Sequence, residues 1–311
     1  MHEASPLPAP DSTGVTTAPA PQLANVDVTT APKARANRRR LRTFLSSKIA
    51  VAAGCWLLVL IVIAVFAYLI APHDPNDADL LHTFQGPSSA HWLGTDSLGR
   101  DVFSRLIVAT RISMIASVAA VSSSLIIAVP LGMLAGYFGG WPDRFIGFGT
   151  DVILSVPPLI LVFAIAGVLG PSLHNAVVAL AVYFTPMFIR LVRTETQRVR
   201  YSQLTEAEQS LGLPHRQILL RHVLPNVTPS LVVQTALTLG TALLAEASLS
   251  FLGLGVHPPG ASWGTMLRTA YDNFLIHPWQ VVPPAVAIAS AVLAWNLFAD
   301  GVRAAFGRVE G

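Results

Sequence analysis

The chain has 311 residues, of which 52% are hydrophobic and only 12% charged, about half the charged share of a soluble domain. That balance excludes an ordinary soluble domain and makes this a membrane chain. The one cysteine, Cys55, lies in an apolar run and rules out an intrachain disulfide, while the formal net charge of +3 says less than the placement of the basic residues.

Residues 1–32 are rich in Ala, Pro and Thr and show no apolar periodicity. They lead into a basic run of Lys33, Arg35, Arg38, Arg39, Arg40 and Arg42, followed by Lys48. Residues 1–40 therefore read as a disordered basic cytoplasmic N-terminal tail. Aromatic residues hardly interleave the run and a spanning segment follows it, so it reads as a lipid-facing anchor and not as a nucleic-acid site. Ile49 to Ile70 is long enough for a retained first transmembrane helix, within residues 41–72.

Residues 73–112 form an extracytoplasmic segment containing HWLGTDSLGRDVFSRL, a Gly-punctuated turn with Asp101 and Arg105 at helical spacing. His91 has no second His or Cys at a ligand-like spacing nearby, so no metal site is expected. The core, 113–306, holds five further spans with a polar loop among them. Ser113 to Leu134 carries Pro130, where a kink is expected. Gly136 to Arg144 makes a turn, Val152 to Leu169 contains Pro157 and Pro158, and Ala176 to Val192 runs into Arg193, Arg198 and Arg200. Leu231 to Leu244 and Val281 to Ala299 complete six spans, which places both termini on one side.

The basic residues orient this arrangement. With the termini inside, sixteen Lys and Arg fall inside: seven over 33–48, Arg144, six from Arg190 to Arg221, Arg303 and Arg308. Four fall outside: Arg100, Arg105, Arg111 and Arg268. The positive-inside rule then puts the polar loop at 200–226 in the cytoplasm.

That loop reads TEAEQSLGLPHRQILLRHVLPN from Thr205 to Asn226. Thr205 with Glu208 has capping-box form, Leu204, Ala207 and Leu211 make a narrow apolar stripe, and Gly212 is placed to end the helix. Pro214 suits the first turn of a second helix carrying Ile218, Leu219 and Val223, and Pro225 is expected to stop it. His215 and His222 fall on one helical face, with no thiolate or carboxylate beside them at ligand spacing. The loop resembles the pattern EAAxxxGxxxxxIxxxHxLP of permease subunits of binding-protein-dependent ABC importers, with Glu206, Ala207, Gly212, Ile218, His222, Leu224 and Pro225 in its fixed places. Glu208 departs from it, standing where the pattern has a second Ala.

Three other stretches resemble the dipeptide, oligopeptide and nickel-type permeases: WLGTD with LGRDV and SRL, EASLSFLGLG with PPGASWG, and WNLFADGVRAAF. The resemblance covers about Leu41 to Phe306. It implies an all-α integral membrane protein of six transmembrane helices, in the ABC importer permease (type I importer) fold with a cytoplasmic EAA coupling loop. In such a subunit, Leu204, Glu206, Ala207, Leu211, Gly212, Ile218, His222, Leu224 and Pro225 would couple to an ATPase. Asp96, Arg100, Asp101, Glu246 and Trp263 are candidates for the translocation mouth. Glu246, at a membrane boundary, either faces the pathway or bonds loop amides. The implied partners are a second homologous permease, one or two ATP-binding subunits, an extracytoplasmic substrate-binding protein and membrane lipid, with no nucleic acid. No cofactor is expected in this chain, since ATP and Mg belong to the partner subunits. Cargo would be a di- or oligopeptide, or alternatively a nickel chelate or a glutathione-like solute.

The chain lacks GxxxxGK[ST], HExxH, GxSxG and paired cysteines, which disfavours an enzyme. A secondary transporter normally needs an ionisable residue near the bilayer midplane, and the interiors of these six spans hold none.

Overall fold

Ser47 opens the first long helix, α1 (Lys48–Val65), by accepting a hydrogen bond from the Ala50 amide. The computed structural model describes residues 42–307; the basic tail expected over residues 1–40 lies outside the described residues. A short helix α2 (Ala67–Ile70) prolongs α1, and the chain then crosses an irregular stretch to α3 (Val102–Phe138). Next come α4 (Gly140–Leu154), α5 (Pro158–Leu169), α6 (Leu173–Arg200), α7 (Gln203–Ser210) and α8 (His215–Ile218). A π-helical turn, Leu219–Val223, joins α8 to α9 (Leu224–Phe251); α10 (Trp263–Asp272) and α11 (Val282–Gly307) follow. Among the described residues, five helical stretches are long and apolar enough to cross a membrane, and α4 with α5 makes a sixth crossing if the pair is one span.

Several boundaries differ from the sequence expectation. The second span begins at Val102, not near Ser113, because Asp101 caps it by accepting from the Ser104 amide. The Asp101–Arg105 pair does not form through side chains: Arg105 donates to the Pro75 carbonyl at 2.8 Å and approaches Asp96 at 3.5 Å. Helix α3 is one helix through Pro130. The turn expected over 136–144 shrinks to Gly139 and Gly140, both at positive φ, and Trp141 onward is already helix. The third span is not straight. Pro157 and Pro158 remove two amide donors, so the helix stops at Leu154 and resumes at Pro158 with a 91° bend.

Pro225 likewise does not end its helix. The π-turn directly before it widens the backbone where a proline ring would otherwise meet the carbonyl of the preceding turn, and the helix runs on from His215 to Phe251. Its length, 37 residues, corresponds to about 55 Å of rise, enough to cross a bilayer and project beyond it.

The main core packs α3 against α6, the most extensive helix pair in the chain. Phe184, Phe188, Val192, Ile218, Val223 and Val227 are fully or almost fully buried in one cluster with residues of α3. Gly132 and Gly136, four apart on α3, permit the close approach. A Cβ on Gly132 would lie 2.6 Å from Val192 Cβ, and one on Gly136 2.6 Å from the Arg193 carbonyl oxygen. Small residues at this spacing let helices meet where apolar lipid supplies no hydrophobic drive of its own. A second cluster joins α1, α9, α10 and α11 around Leu57, Leu60, Leu243 and Trp263.

Candidate functional site: the polar loop and its footing

The loop between α6 and α9 begins earlier than its sequence indicated. Ser202, not Thr205, stands ahead of the first turn of α7, its Oγ 3.4 Å from the Thr205 amide and 3.1 Å from the Thr205 hydroxyl. Thr205 is buried and donates back to the Val199 carbonyl at 2.9 Å, pinning α7 to the end of α6. Gly212 sits at φ +75°, and the Leu213 amide donates to the Glu208 carbonyl at 3.2 Å. That bond and the left-handed glycine close the helix in the Schellman manner.

Glu208, released from the expected capping box, does something else. Its Oε1 lies 3.0 Å from His222 Nε2, linking α7 to the π-turn. A carboxylate therefore does stand beside one of the two loop histidines, contrary to the sequence expectation. The other, His215, receives or donates a 2.9 Å bond between its Nδ1 and the Tyr137 hydroxyl on α3, with the rings edge to face. Around these, Asp143 holds Arg193, one of its two contacts measuring 2.8 Å, and Asp151 holds Arg190 at 2.6 Å. Ser230 donates to Glu195 at 2.7 Å, tying α9 to α6.

This footing sorts the expected coupling residues. Glu206, Leu211, Gly212 and Pro225 are exposed, with Leu211 at 78%. Tyr201 and Leu220 add two more exposed apolar side chains. Ile218 is fully buried within the chain's own core, Leu224 packs against it, and His222 is engaged by Glu208. Ile218 thus anchors the loop from inside, while Leu224 and His222 are half-buried and help hold its shape. The backbones of Leu204 and Ala207 lie within α7.

At the opposite end of the bundle, the five mouth candidates are all withdrawn from the surface. Asp96 accepts from the Leu98 and Arg100 amides and pairs with the Arg100 guanidinium at 2.7 Å, knotting the WLGTDSLGRD turn. Asp101 caps α3 through Oδ2, and its Oδ1 stands 3.0 Å from His91 Nδ1. Gln280 donates to the Thr95 carbonyl at 2.7 Å, tying the same turn to the start of α11. Trp263 is fully buried among Leu57, Leu60, Met114 and Leu243, and its amide donates to Ser113 Oγ at 3.2 Å. Glu246 lies inside the crossing helix α9 and not at its boundary. It is fully buried, accepting from Ser250 Oγ at 2.7 Å, with the hydroxyls of Ser113 and Ser262 also turned to it. Its hydrogen bond to Ser250 stays within α9, and the carboxyl sits where α3, α9 and the start of α10 converge.

A family described as binding-protein-dependent transport system inner membrane component matches residues 128–308, which include the whole loop, and the N-terminal TM domain of oligopeptide transport permease C matches residues 38–87. The chain belongs to this family of importer permeases. The glutathione transport system permease protein GsiD of Pectobacterium atrosepticum is 43% identical over 265 residues, covering 84% of this chain and 87% of that protein. GsiD of Escherichia coli is 43% identical over 263 residues, with the same coverage. An inward-facing form of the methionine ABC transporter MetNI shares the fold, with a TM-score of 0.54 at 20% identity over 65% of this chain and 97% of that one. The chain is thus a multi-pass permease subunit of a peptide-type ABC importer, a kind of subunit that works with ATP-binding subunits and a binding protein.

Two features of this permease escaped its sequence reading. The Gly132–Gly136 spacing was present in the sequence as GxxxG and signals the α3–α6 contact. The approach of His73 to His91 and Asp101 had no sequence signal, because the three lie in separate segments that only the fold brings together.

Proposed function

We propose that this permease lines half of a pathway for small peptides, paired with a second related permease, and that the loop at 200–226 is where ATP-hydrolysing partners grip it. The observation that carries this is Leu211: a large apolar side chain, 78% exposed, just past a short helix that Thr205 and Glu208 hold to the rest of the chain. An exposed apolar knob on a fixed base suits insertion into a groove on another subunit.

The mechanism follows from continuity. Helix α9 and the π-turn form one unbroken stretch from His215 to Phe251, so a push on the loop travels along a rod to the far end. There it packs on α3 and α10 around the buried Glu246. ATP-driven movement of the partners would tilt this rod and alternate the side to which the pathway opens. The chain itself catalyses nothing, ATP and Mg being held by the partners. The sixteen-to-four charge distribution supports cytoplasmic termini and loop, in a bacterial inner membrane. An extracytoplasmic binding protein would deliver cargo.

The glutathione permeases above favour a short, thiol-containing peptide as one cargo. Uptake of labelled dipeptides into vesicles holding the whole transporter, with glutathione as competitor, tests this. Competition supports a glutathione-like cargo, and dipeptide uptake indifferent to glutathione assigns the dipeptide class instead. ATP-independent uptake driven by an ion gradient would overturn the importer mechanism.

A further inference from the structure

We propose that His73, His91 and Asp101 form a binding site for a divalent transition ion of the Zn²⁺ class, at the end of the bundle opposite the loop. One potential ligand atom from each residue lies within 4.8 Å of those of the other two. Asp101 is the centre: its Oδ1 stands 3.0 Å from His91 Nδ1 and its Oδ2 3.7 Å from His73 Nδ1. The two imidazole rings are 5.0 Å apart. Two imidazoles and a carboxylate are a common donor set for such ions, leaving further positions for water. With metal–ligand bonds of about 2.0–2.2 Å, tetrahedral donors stand roughly 3.3 Å apart. The two observed separations from Asp101 bracket that value.

The donors are held in place from behind. Asp101 Oδ2 accepts from the Ser104 amide at 2.8 Å and the Ser104 hydroxyl at 2.6 Å, leaving Oδ1 toward His91. The same hydroxyl oxygen accepts the His73 backbone N–H at 3.1 Å, so one serine orders two of the three residues. His91 is fixed by its own turn. Its amide donates to Ser88 Oγ at 3.0 Å, and its carbonyl accepts from the Ser88 and Gly94 amides. Supporting bonds of this kind orient ligands and raise metal affinity.

Charge and access agree with the assignment. The Asp101 side chain is 1% exposed, whereas those of His91 and His73 are 24% and 44% exposed, so an ion enters past the rings onto a buried negative charge. The nearby guanidinium groups of Arg100 and Arg105 are turned to Asp96. A simple His–Asp pair would need one ring; here two converge on the same carboxylate. A bound ion would cross-link the segment after α2 to the first turn of α3 and steady that end of the permease.

The test is titration of the full chain in lipid nanodiscs with Zn²⁺ by calorimetry and with Co²⁺ by visible absorption. One equivalent per chain is expected, with Zn²⁺ raising the melting temperature. His73→Gln and His91→Gln should each weaken binding at least about tenfold, and Ser104→Ala by about 10–100-fold. Both rings are partly exposed, so these variants should keep the metal-free melting temperature of the wild type. His82→Gln, which alters the separate exposed pair with Asp79, should leave binding unchanged. Absence of binding at about 100 μM ion, or full binding in the doubly substituted His73→Gln/His91→Gln chain, overturns the site. Dependence on His82 in place of His91 overturns it as well.

Discussion

Glu208 and His222 meet at 3.0 Å, joining the short helix that bears the exposed Leu211 to the turn from which the long helix α9 starts. An alanine at the Glu208 position could not make this link between two parts of the loop. The pair is mostly withdrawn from solvent, and residues in direct contact couple more than distant ones. Glu208→Ala and His222→Ala should each weaken partner copurification a few-fold. The doubly substituted chain should be no worse than either, a coupling of about 1 kcal/mol. Additive losses in that cycle would mean the two side chains act separately.

Leu211 and Glu206 are both exposed on the loop, yet they differ in what a partner gains by covering them. Burying a leucine is worth about 1.5–3 kcal/mol, while an exposed charge contact is worth under about 1 kcal/mol. Leu211→Asp should lower ATPase copurification roughly 10- to 100-fold and leave the permease's own melting temperature unchanged. Glu206→Ala should cost only a few-fold. Equal, small effects in both variants would move the docking surface elsewhere.

At Gly212 the φ of +75° is the whole constraint, because an added Cβ would meet nothing within 4 Å. The left-handed conformation costs an ordinary L-residue about 1–2 kcal/mol, more for a β-branched one, and least for Asn. Gly212→Val should therefore insert normally but lose substrate uptake and ATPase attachment, whereas Gly212→Asn should retain most of both. Equal loss in the two variants would point to a contact at this position and not to backbone geometry.

Apolar runs and prolines made the crossings legible in the sequence, since lipid demands long apolar helices and forbids unpaired backbone. The loop motif was legible too, but the jobs of its residues were not. Ile218 and Leu224 both stand in the motif, yet the fold buries the first completely and leaves the second half-buried. Glu246 read as a boundary charge because the apolar run fades near Leu244, yet helix α9 continues to Phe251 and encloses it. Burial of a polar residue depends on which helices converge on it, and no local pattern encodes that. His73 illustrates the same limit: its approach to Asp101 runs through the Ser104 hydroxyl, a contact made only after α3 and the segment before it have docked.

Orientation rests on charge and is tested by placement of a reporter that is active only outside the cytoplasm. Fused within the irregular stretch near Asp79 it should be active, and near Ser210 silent. Sixteen basic residues inside against four outside favour that arrangement, at about 1 kcal/mol for each one close to an anionic surface. Activity at Ser210 would invert the chain and detach the loop from any cytoplasmic ATPase.

The contact between α3 and α6 offers a test of packing with an internal control. A side chain on Gly136 would drive into the Arg193 carbonyl and Thr196, whereas one on Gly147 of α4 would meet nothing within 4 Å. Backbone cannot move aside as a flexible side chain can, so the helices must separate, and Gly132 would lose its own close approach to Val192. Overpacking of this kind costs about 1–3 kcal/mol, while Gly→Ala at an open helical position stabilises by about 0.4–1 kcal/mol. Gly136→Val should lower the melting temperature in detergent by several degrees and reduce the yield of assembled transporter; Gly147→Ala should raise or preserve it. Since α3 also carries Tyr137, which holds His215, the Gly136 variant should in addition loosen the loop. Protease cleavage within 200–226 should accelerate in that variant and not in the other. Unchanged melting and cleavage in Gly136→Val would show that α3 and α6 do not depend on close backbone contact.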